Sequence, residues 1–291
     1  MWRWLIGLVV LVGIGVATFM LRPVTGPTRD LTLVGDVARG DDLLRLGGCV
    51  ACHTDIKNDG AFLAGGAPLQ TPFGQFVPPN ITPDPEAGIG SWTLAEFSAA
   101  LSDGMGPGGT HLYPSFPYDN YTLMSDQEVA DLYAALKAVA PVPQKAADHA
   151  LGFPFNIRLA MAGWKNLFFT PARYEPDPTR SELWNRGRYL TLGPAHCSAC
   201  HTPRNLFGAP DKANELKGSK GGPAGNVPGI DTATLVEIGY TREAMIDVLA
   251  GGLTPEFDVL GGEMTEVIEE STVHWSDADR EAVAAYLLDE D

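Results

Sequence analysis

All four cysteines of the chain lie in two pentapeptides, Cys49-Val50-Ala51-Cys52-His53 and Cys197-Ser198-Ala199-Cys200-His201. A C-x-x-C-H run is the attachment pattern of a c-type haem, in which each thiol forms a thioether with a vinyl group and the histidine becomes the proximal iron ligand. The two-residue gap sets both sulfurs along one edge of a short helical turn, with the adjacent ring placed under the iron. A structural zinc or a redox dithiol can use one such run. Two copies with no spare cysteine point instead to two covalent haems, with Cys49, Cys52, Cys197 and Cys200 as attachment points and His53 and His201 as iron ligands.

A proximal histidine leaves one axial position, and its occupant separates electron transfer from ligand chemistry. Behind the second motif, Met264 follows Gly261-Gly262 and precedes a helix that begins at Ser276, which makes it the expected ligand. The competing reading is a buried thioether filling a gap. Met245 reads as core, and His196, next to Cys197, sits on the wrong side of the ring. In the first half the position 148 residues before Met264 is Phe116, which cannot bind iron. Met124 is the substitute, with His111, Met105 or an open iron as alternatives. Trp92, Gln75, Asn80 and Arg204 are candidate haem contacts; the plainer reading makes Trp92 core and Asn80 a turn former before Pro83.

The elements that hold these residues come in two copies. A shift of 148 places Cys49 on Cys197, Trp92 on Tyr240, Thr93 on Thr241, Phe97 on Met245 and Gly104 on Gly252. Ser125-Asp126-Gln127-Glu128 matches Ser276-Asp277-Ala278-Asp279, each a helix start ahead of an apolar run. Each copy therefore reads as a leading helix, a haem turn, a Gly/Pro-rich segment, a middle helix, a ligand loop and a terminal helix. Gly40 and Gly187 interrupt the leading helices, where glycine costs about 1 kcal/mol. Close crossing with the terminal helix, near Tyr133 or Tyr286, is a physical reason to keep them. The pattern looks like the small all-α cytochrome c fold, whose haem supplies core that so short a module lacks.

Between the copies, Ile157, Met161, Trp164 and Phe168 form a helical stripe bounded by Pro154 and Pro171. It reads as a packed strap between the halves, or else as a patch for a partner protein. Trp4 to Leu21 is an almost unbroken apolar run between Arg3 and Arg22. Its eighteen residues span roughly 27 Å as a helix, near the thickness of bilayer hydrocarbon. A retained anchor is the expectation; a signal peptide cleaved after Gly15-Val16-Ala17 is the alternative, and both export the rest of the chain. The expected organisation is thus all-α, with an anchor or signal over 1–24, cytochrome c domains over 33–140 and 181–291, and a connector over 141–180. The formal net charge of -16 argues against nucleic acid and for either basic docking partners or simple solubility.

Asn80-Ile81-Thr82-Pro83-Asp84, Gly88 to Trp92 and Leu112 to Tyr118 together resemble the cytochrome c subunits of bacterial membrane-bound alcohol, aldehyde and gluconate-type dehydrogenases. Asn185 to Leu190, followed by Cys197 to Asn205, is similar to the same group. The resemblance implies a periplasmic relay on the bacterial inner membrane, taking electrons from a dehydrogenase and handing them to quinone, a cytochrome or an oxidase. Many members carry three haem modules and place Met where Phe116 stands; this chain departs on both points. The rival function is an enzyme, a dihaem peroxidase or thiosulfate dehydrogenase, which needs one open or exchangeable iron position. A third is a subunit that chiefly tethers its partner.

Overall fold

The computed structural model describes residues 2–222 and 225–291. It opens with α1 (Trp2–Met20), a lone apolar helix with no buried residue, long and apolar enough to cross a membrane. The first copy of the repeat follows as α2 (Val37–Leu46), the haem turn α3 (Cys49–His53), the hairpin β1 (Leu69–Thr71) and β2 (Gly74–Phe76), and α4 (Leu94–Asp103). It continues through β3 (Met105–Gly106), β4 (Thr110–His111), α5 (Tyr118–Tyr121) and α6 (Asp126–Ala138). A connecting stretch carries β5 (Ala150–Leu151) and α7 (Ala160–Phe168). The second copy comprises α8 (Glu182–Leu192), the turn α9 (Cys197–His201), β6 (Ser219–Gly222), β7 (Gly225–Val227), α10 (Thr232–Glu237), α11 (Arg242–Gly251), α12 (Glu263–Glu270) and α13 (Asp277–Leu287).

The helix starts lie where the side chains demand them. Ser125 and Ser276 cap α6 and α13, and Thr93 and Thr241 cap α4 and α11, each accepting a bond from the amide three residues on. Thr93 with Glu96 and Ser125 with Glu128 close full capping boxes. Gly104 and Gly252 end α4 and α11 in left-handed backbone, φ 60° and 77°.

Each leading helix crosses its terminal helix at a glycine. A Cβ on Gly40 would lie 2.0 Å from the Asp131 carbonyl oxygen; on Gly187 it would lie 1.8 Å from that of Ala282. The expected tyrosine neighbour is present at one crossing only. Tyr286 Cβ faces Gly187, whereas Gly40 faces Ala135 and Tyr133 instead bonds the Trp92 carbonyl at 2.8 Å.

One expectation needs correction. The fold is mainly helical but not all-α, because the Gly/Pro-rich segments pair into short antiparallel ladders. The start of the connecting stretch touches the first copy: β5 adds to β2, and Asn80 Nδ2 holds the carbonyls of Val142 and Gln144 at 2.8 and 2.9 Å. Residues just past α6 are therefore stitched into the first copy.

Three apolar clusters make the core. One gathers Leu44, Val50, Leu63, Phe97, Met124 and Leu132; a second gathers Leu190, Leu216, Met245, Trp275 and Val283. The third joins Trp164 and Phe169 of the connecting stretch to Tyr118 of the first copy and Ala209 of the second, as a strap requires. Lys165 reinforces it, its buried ammonium donating to the carbonyls of Asp103 and Gly104 at 2.9 and 3.1 Å. Ile157, however, precedes α7 and is exposed.

Because the crossings leave no room for a methyl group, Gly187→Ala must push α8 from α13. The expected loss is about 3 kcal/mol, the upper end of overpacking costs. The melting temperature measures it, and an unchanged value contradicts the close crossing.

Candidate functional site

Each C-x-x-C-H turn is a single helical turn launched from left-handed backbone. The launching residue is Gly48 at φ 65°, ψ 14° in one copy and His196 at φ 42°, ψ 35° in the other. None of the four cysteines is joined in a disulfide; Cys52 and Cys200 are exposed, Cys49 and Cys197 half-buried. As unmodified thiols, Cys49 and Cys197 are pushed up to about 12 by burial. An activated redox dithiol needs the opposite shift. Among the described residues, no three His, Cys, Asp or Glu side chains gather as a metal-ion cluster.

The two histidines share one local scaffold. His53 Nδ1 donates to the Pro79 carbonyl at 2.6 Å, and His201 Nδ1 donates to the Pro228 carbonyl at 2.8 Å. Burial lowers both pKa values, while the carbonyl acts the other way, so each ring is favoured as the neutral tautomer with its proton on Nδ1. Nε2 then presents a lone pair in a fixed direction, the arrangement a metal-ligating histidine requires. Thr54 and Thr202, which follow the histidines, accept the amides of Leu63 and Leu216 at 3.1 Å each. Those two leucines both hold left-handed backbone, φ 56° and 63°. The histidine carbonyls accept from Gly65 and Gly218. The donor set thus fits a haem iron in both copies.

Of the alternatives for the sixth position of the first copy, Met105 is committed elsewhere and His111 is not. Met105 Sδ accepts from the Lys165 ammonium at 2.9 Å. His149 Nδ1 accepts from the Val77 amide at 3.1 Å. His111 is paired on the β3–β4 hairpin with its Nδ1 buried and unpartnered. Met124 is 2 % exposed and shares its cluster with Val50 of the haem turn, against which Cys49 also packs. Phe116 packs on the same cluster, its ring 5.3 Å from that of Tyr121.

In the second copy Met245 is core, as expected, and 4 % exposed. Met264 lies not in a loop but in the first turn of α12, half-buried. That helix runs beside α3, where Glu266 pairs with Lys57 at 3.3 Å.

The expected haem contacts divide. Asn80 has both amide protons on carbonyls and its oxygen on Thr82, so it clamps the chain rather than offering a donor to a propionate. Arg204 donates to the Ala199 and Gly208 carbonyls at 2.9 and 2.7 Å, ordering the turn behind the second motif. Trp92 is half-buried against the first core.

Sequence reasoning missed Pro79 and Pro228, the two anchors of the histidine rings. A signal was present: Pro79-Asn80-Ile81 and Pro228-Gly229-Ile230 stand 26 and 27 residues beyond their histidines. It also missed the meeting of the two turns. The Gly47 carbonyl accepts from Tyr121 Oη at 2.7 Å and from His196 Nε2 at 3.2 Å. A Cβ on Gly48 would lie 3.1 Å from His196 Nε2, and the Tyr121 and His196 rings meet edge-on at 5.4 Å. Asn120 Nδ2 reaches across to Leu192 O at 2.6 Å and to Ser198 Oγ, inside the second motif, at 2.8 Å.

No protein-family model matches the chain. A diheme cytochrome c-type protein of Cereibacter sphaeroides is 40% identical over 284 residues, covering 96% of this chain and 94% of that protein. The chain belongs to the dihaem c-type cytochromes. This cytochrome carries two covalently bound haem c groups, and its role is to relay electrons. The fructose dehydrogenase cytochrome subunit of Gluconobacter japonicus is 38% identical over 90% of the chain. The gluconate 2-dehydrogenase cytochrome c subunit of Pantoea cypripedii is 36% identical over 86% of it. The cytochrome spans 54% and 58% of the length of those two relatives.

His196→Ala keeps a Cβ in the same left-handed backbone while deleting the ring that joins the two turns. The holoprotein is expected to lose about 1 kcal/mol of stability, one hydrogen bond's worth. Thermal unfolding checks it; an unchanged midpoint means the bridge contributes nothing.

Proposed function

We propose that this cytochrome is a membrane-anchored electron relay. Residues 33–140 and 181–291 form two tandem cytochrome c domains held outside the cytoplasm by α1, on the bacterial inner membrane. Cys49 with Cys52 and Cys197 with Cys200 attach the haems; His53 with Met124 and His201 with Met264 are the axial pairs. The haem irons supply the one-electron change between ferric and ferrous states. The protein fixes ligand orientation, keeps the sulfur and imidazole donors in apolar surroundings, and sets the two turns side by side.

The carrying observation is the repeated Nδ1 bond to a carbonyl, His53 to Pro79 and His201 to Pro228, which readies both imidazoles as ligands. Support for the sixth ligand of the first haem comes from burial of Met124 with Val50 and from the commitment of Met105 to Lys165. The donor in this reading is a dehydrogenase, because relatives include cytochrome subunits of fructose, gluconate and alcohol dehydrogenases. The acceptor is a downstream cytochrome, quinone or oxidase. The acidic surface suits a basic docking face on either partner.

A methionine–ferric iron charge-transfer band in the near infrared reports each axial pair. Met124→Ala is expected to remove one of two such bands, leave the other, lower that haem's reduction potential and admit cyanide quickly. An unchanged spectrum overturns Met124 as ligand. Rapid cyanide binding by the unaltered protein favours an enzyme with an open iron instead.

A further inference from the structure

The connecting stretch has a second face that the strap does not use. Its inner side packs Trp164 and Phe169 into the core, yet Leu159 and Leu167 remain 61% and 56% exposed. The turn leading into α7 exposes Phe153 and Ile157 at 82% and 47%. Beside it, the loop after the second haem motif exposes Leu206 and Phe207 at 92% and 65%. The two regions are continuous. Phe168 stacks on Phe207 with ring centroids 5.8 Å apart, and Trp164 Nε1 donates to the Phe207 carbonyl at 2.9 Å.

This apolar face adjoins the end of α1. Met20 packs so tightly on Gly163 that a Cβ there would lie 2.1 Å from the Met20 methyl carbon. Asn166 Nδ2 donates to the Arg22 carbonyl at 2.8 Å, tying α7 to the backbone where α1 ends. A helix in contact with that point lies within about 10 Å of the bilayer surface, one helix diameter.

Charge distinguishes the same stretch. From residue 150 to 171 there is no aspartate or glutamate, although the chain has 36 acids in 291 residues and about three would be expected there. Arg158 and Lys165 are its charged residues, and Arg22 stands beside it. An apolar, acid-free face with adjoining arginines matches a leaflet containing anionic lipid, whereas the rest of this acidic protein is repelled by one.

We propose that this face seats in the headgroup–acyl boundary of the leaflet from which α1 emerges. Leu159, Leu167, Leu206 and Phe207 enter the interface, and the exposed Arg22 meets lipid phosphates. The body of the protein is then held on the membrane in one orientation rather than swinging from a tether, so the two haem turns keep a fixed height above the bilayer. The inference rests on the reading of α1 as a retained membrane anchor.

The test uses the full-length dihaem protein in vesicles of phosphatidylcholine with phosphatidylglycerol. Because the native cysteines are consumed by haem, one added cysteine carries a nitroxide at Leu167, Phe207, Val9 or Phe257. Leu159→Cys replaces Leu167→Cys if that variant fails to incorporate both haems. Val9 reports α1, and Phe257, 85% exposed on the second copy, reports water. Labels at Val9, Leu167 and Phe207 are expected to show oxygen-to-nickel-chelate accessibility several-fold above Phe257, and lower Leu167 and Phe207 values when phosphatidylglycerol is omitted. If Val9 is lipid-protected while Leu167 and Phe207 match Phe257, the anchor stands, the proposal falls, and the face is left to a protein partner. If Val9 itself is open to the nickel chelate, the anchor reading fails and takes the proposal with it.

Discussion

A single backbone carbonyl, that of Gly47, ties the two halves together at the place where their chemistry lies. It takes one hydrogen bond from Tyr121 of its own copy and one from His196 of the other. Both lone pairs of a buried acceptor are therefore used, and leaving either donor unmatched is costly in such a setting. The contact is eased by the missing side chain at Gly48, where a Cβ would crowd the His196 ring, and it requires His196 to hold left-handed backbone, a conformation that strains any residue with a Cβ. Two equivalent positions of the repeat have thus diverged into complementary halves of one joint. Asn120 spans the same seam, and Tyr189 Oη bonds Glu128 at 2.5 Å a short way along it.

That joint explains features that have no role in an isolated haem module. The connecting stretch does not swing freely: Lys165 and the Thr122–Ala172 pair pin it along the first copy, and Trp164 donates to the Phe207 carbonyl of the second. Leu46, at the end of the first leading helix, is built into the second core. α12 packs against the first cysteine turn α3, and its Glu266 pairs with Lys57 just beyond that turn. A relay gains from such rigidity, since electron transfer depends on the fixed placement of its centres rather than on motion between them.

Much of this was legible in the residues. The cysteine pairs, the capping serines and the interrupting glycines are local signals with one physical meaning each, and all marked the elements correctly. What stayed hidden depended on long-range closure. Short ladders such as β2–β5 join residues more than seventy positions apart, and no local period announces them. Met264 reads as a loop residue because two glycines precede it, yet the glutamates on either side favour the first turn of a helix. Asn80, with a side chain suited to a cofactor, is used up in holding carbonyls that the sequence places more than sixty residues away. The histidine anchors at Pro79 and Pro228 escaped because a carbonyl acceptor carries no residue signature; only their shared spacing gave them away.

Electron relay by this protein requires that the paired sulfurs be bonded to porphyrin. The most direct measurement is the intact mass of the purified protein after unfolding in the presence of a thiol-alkylating reagent. The account predicts one species, the polypeptide plus two haem groups, with none of Cys49, Cys52, Cys197 and Cys200 alkylated. A mass carrying fewer than two haems, or alkylation at any of those four positions, contradicts it.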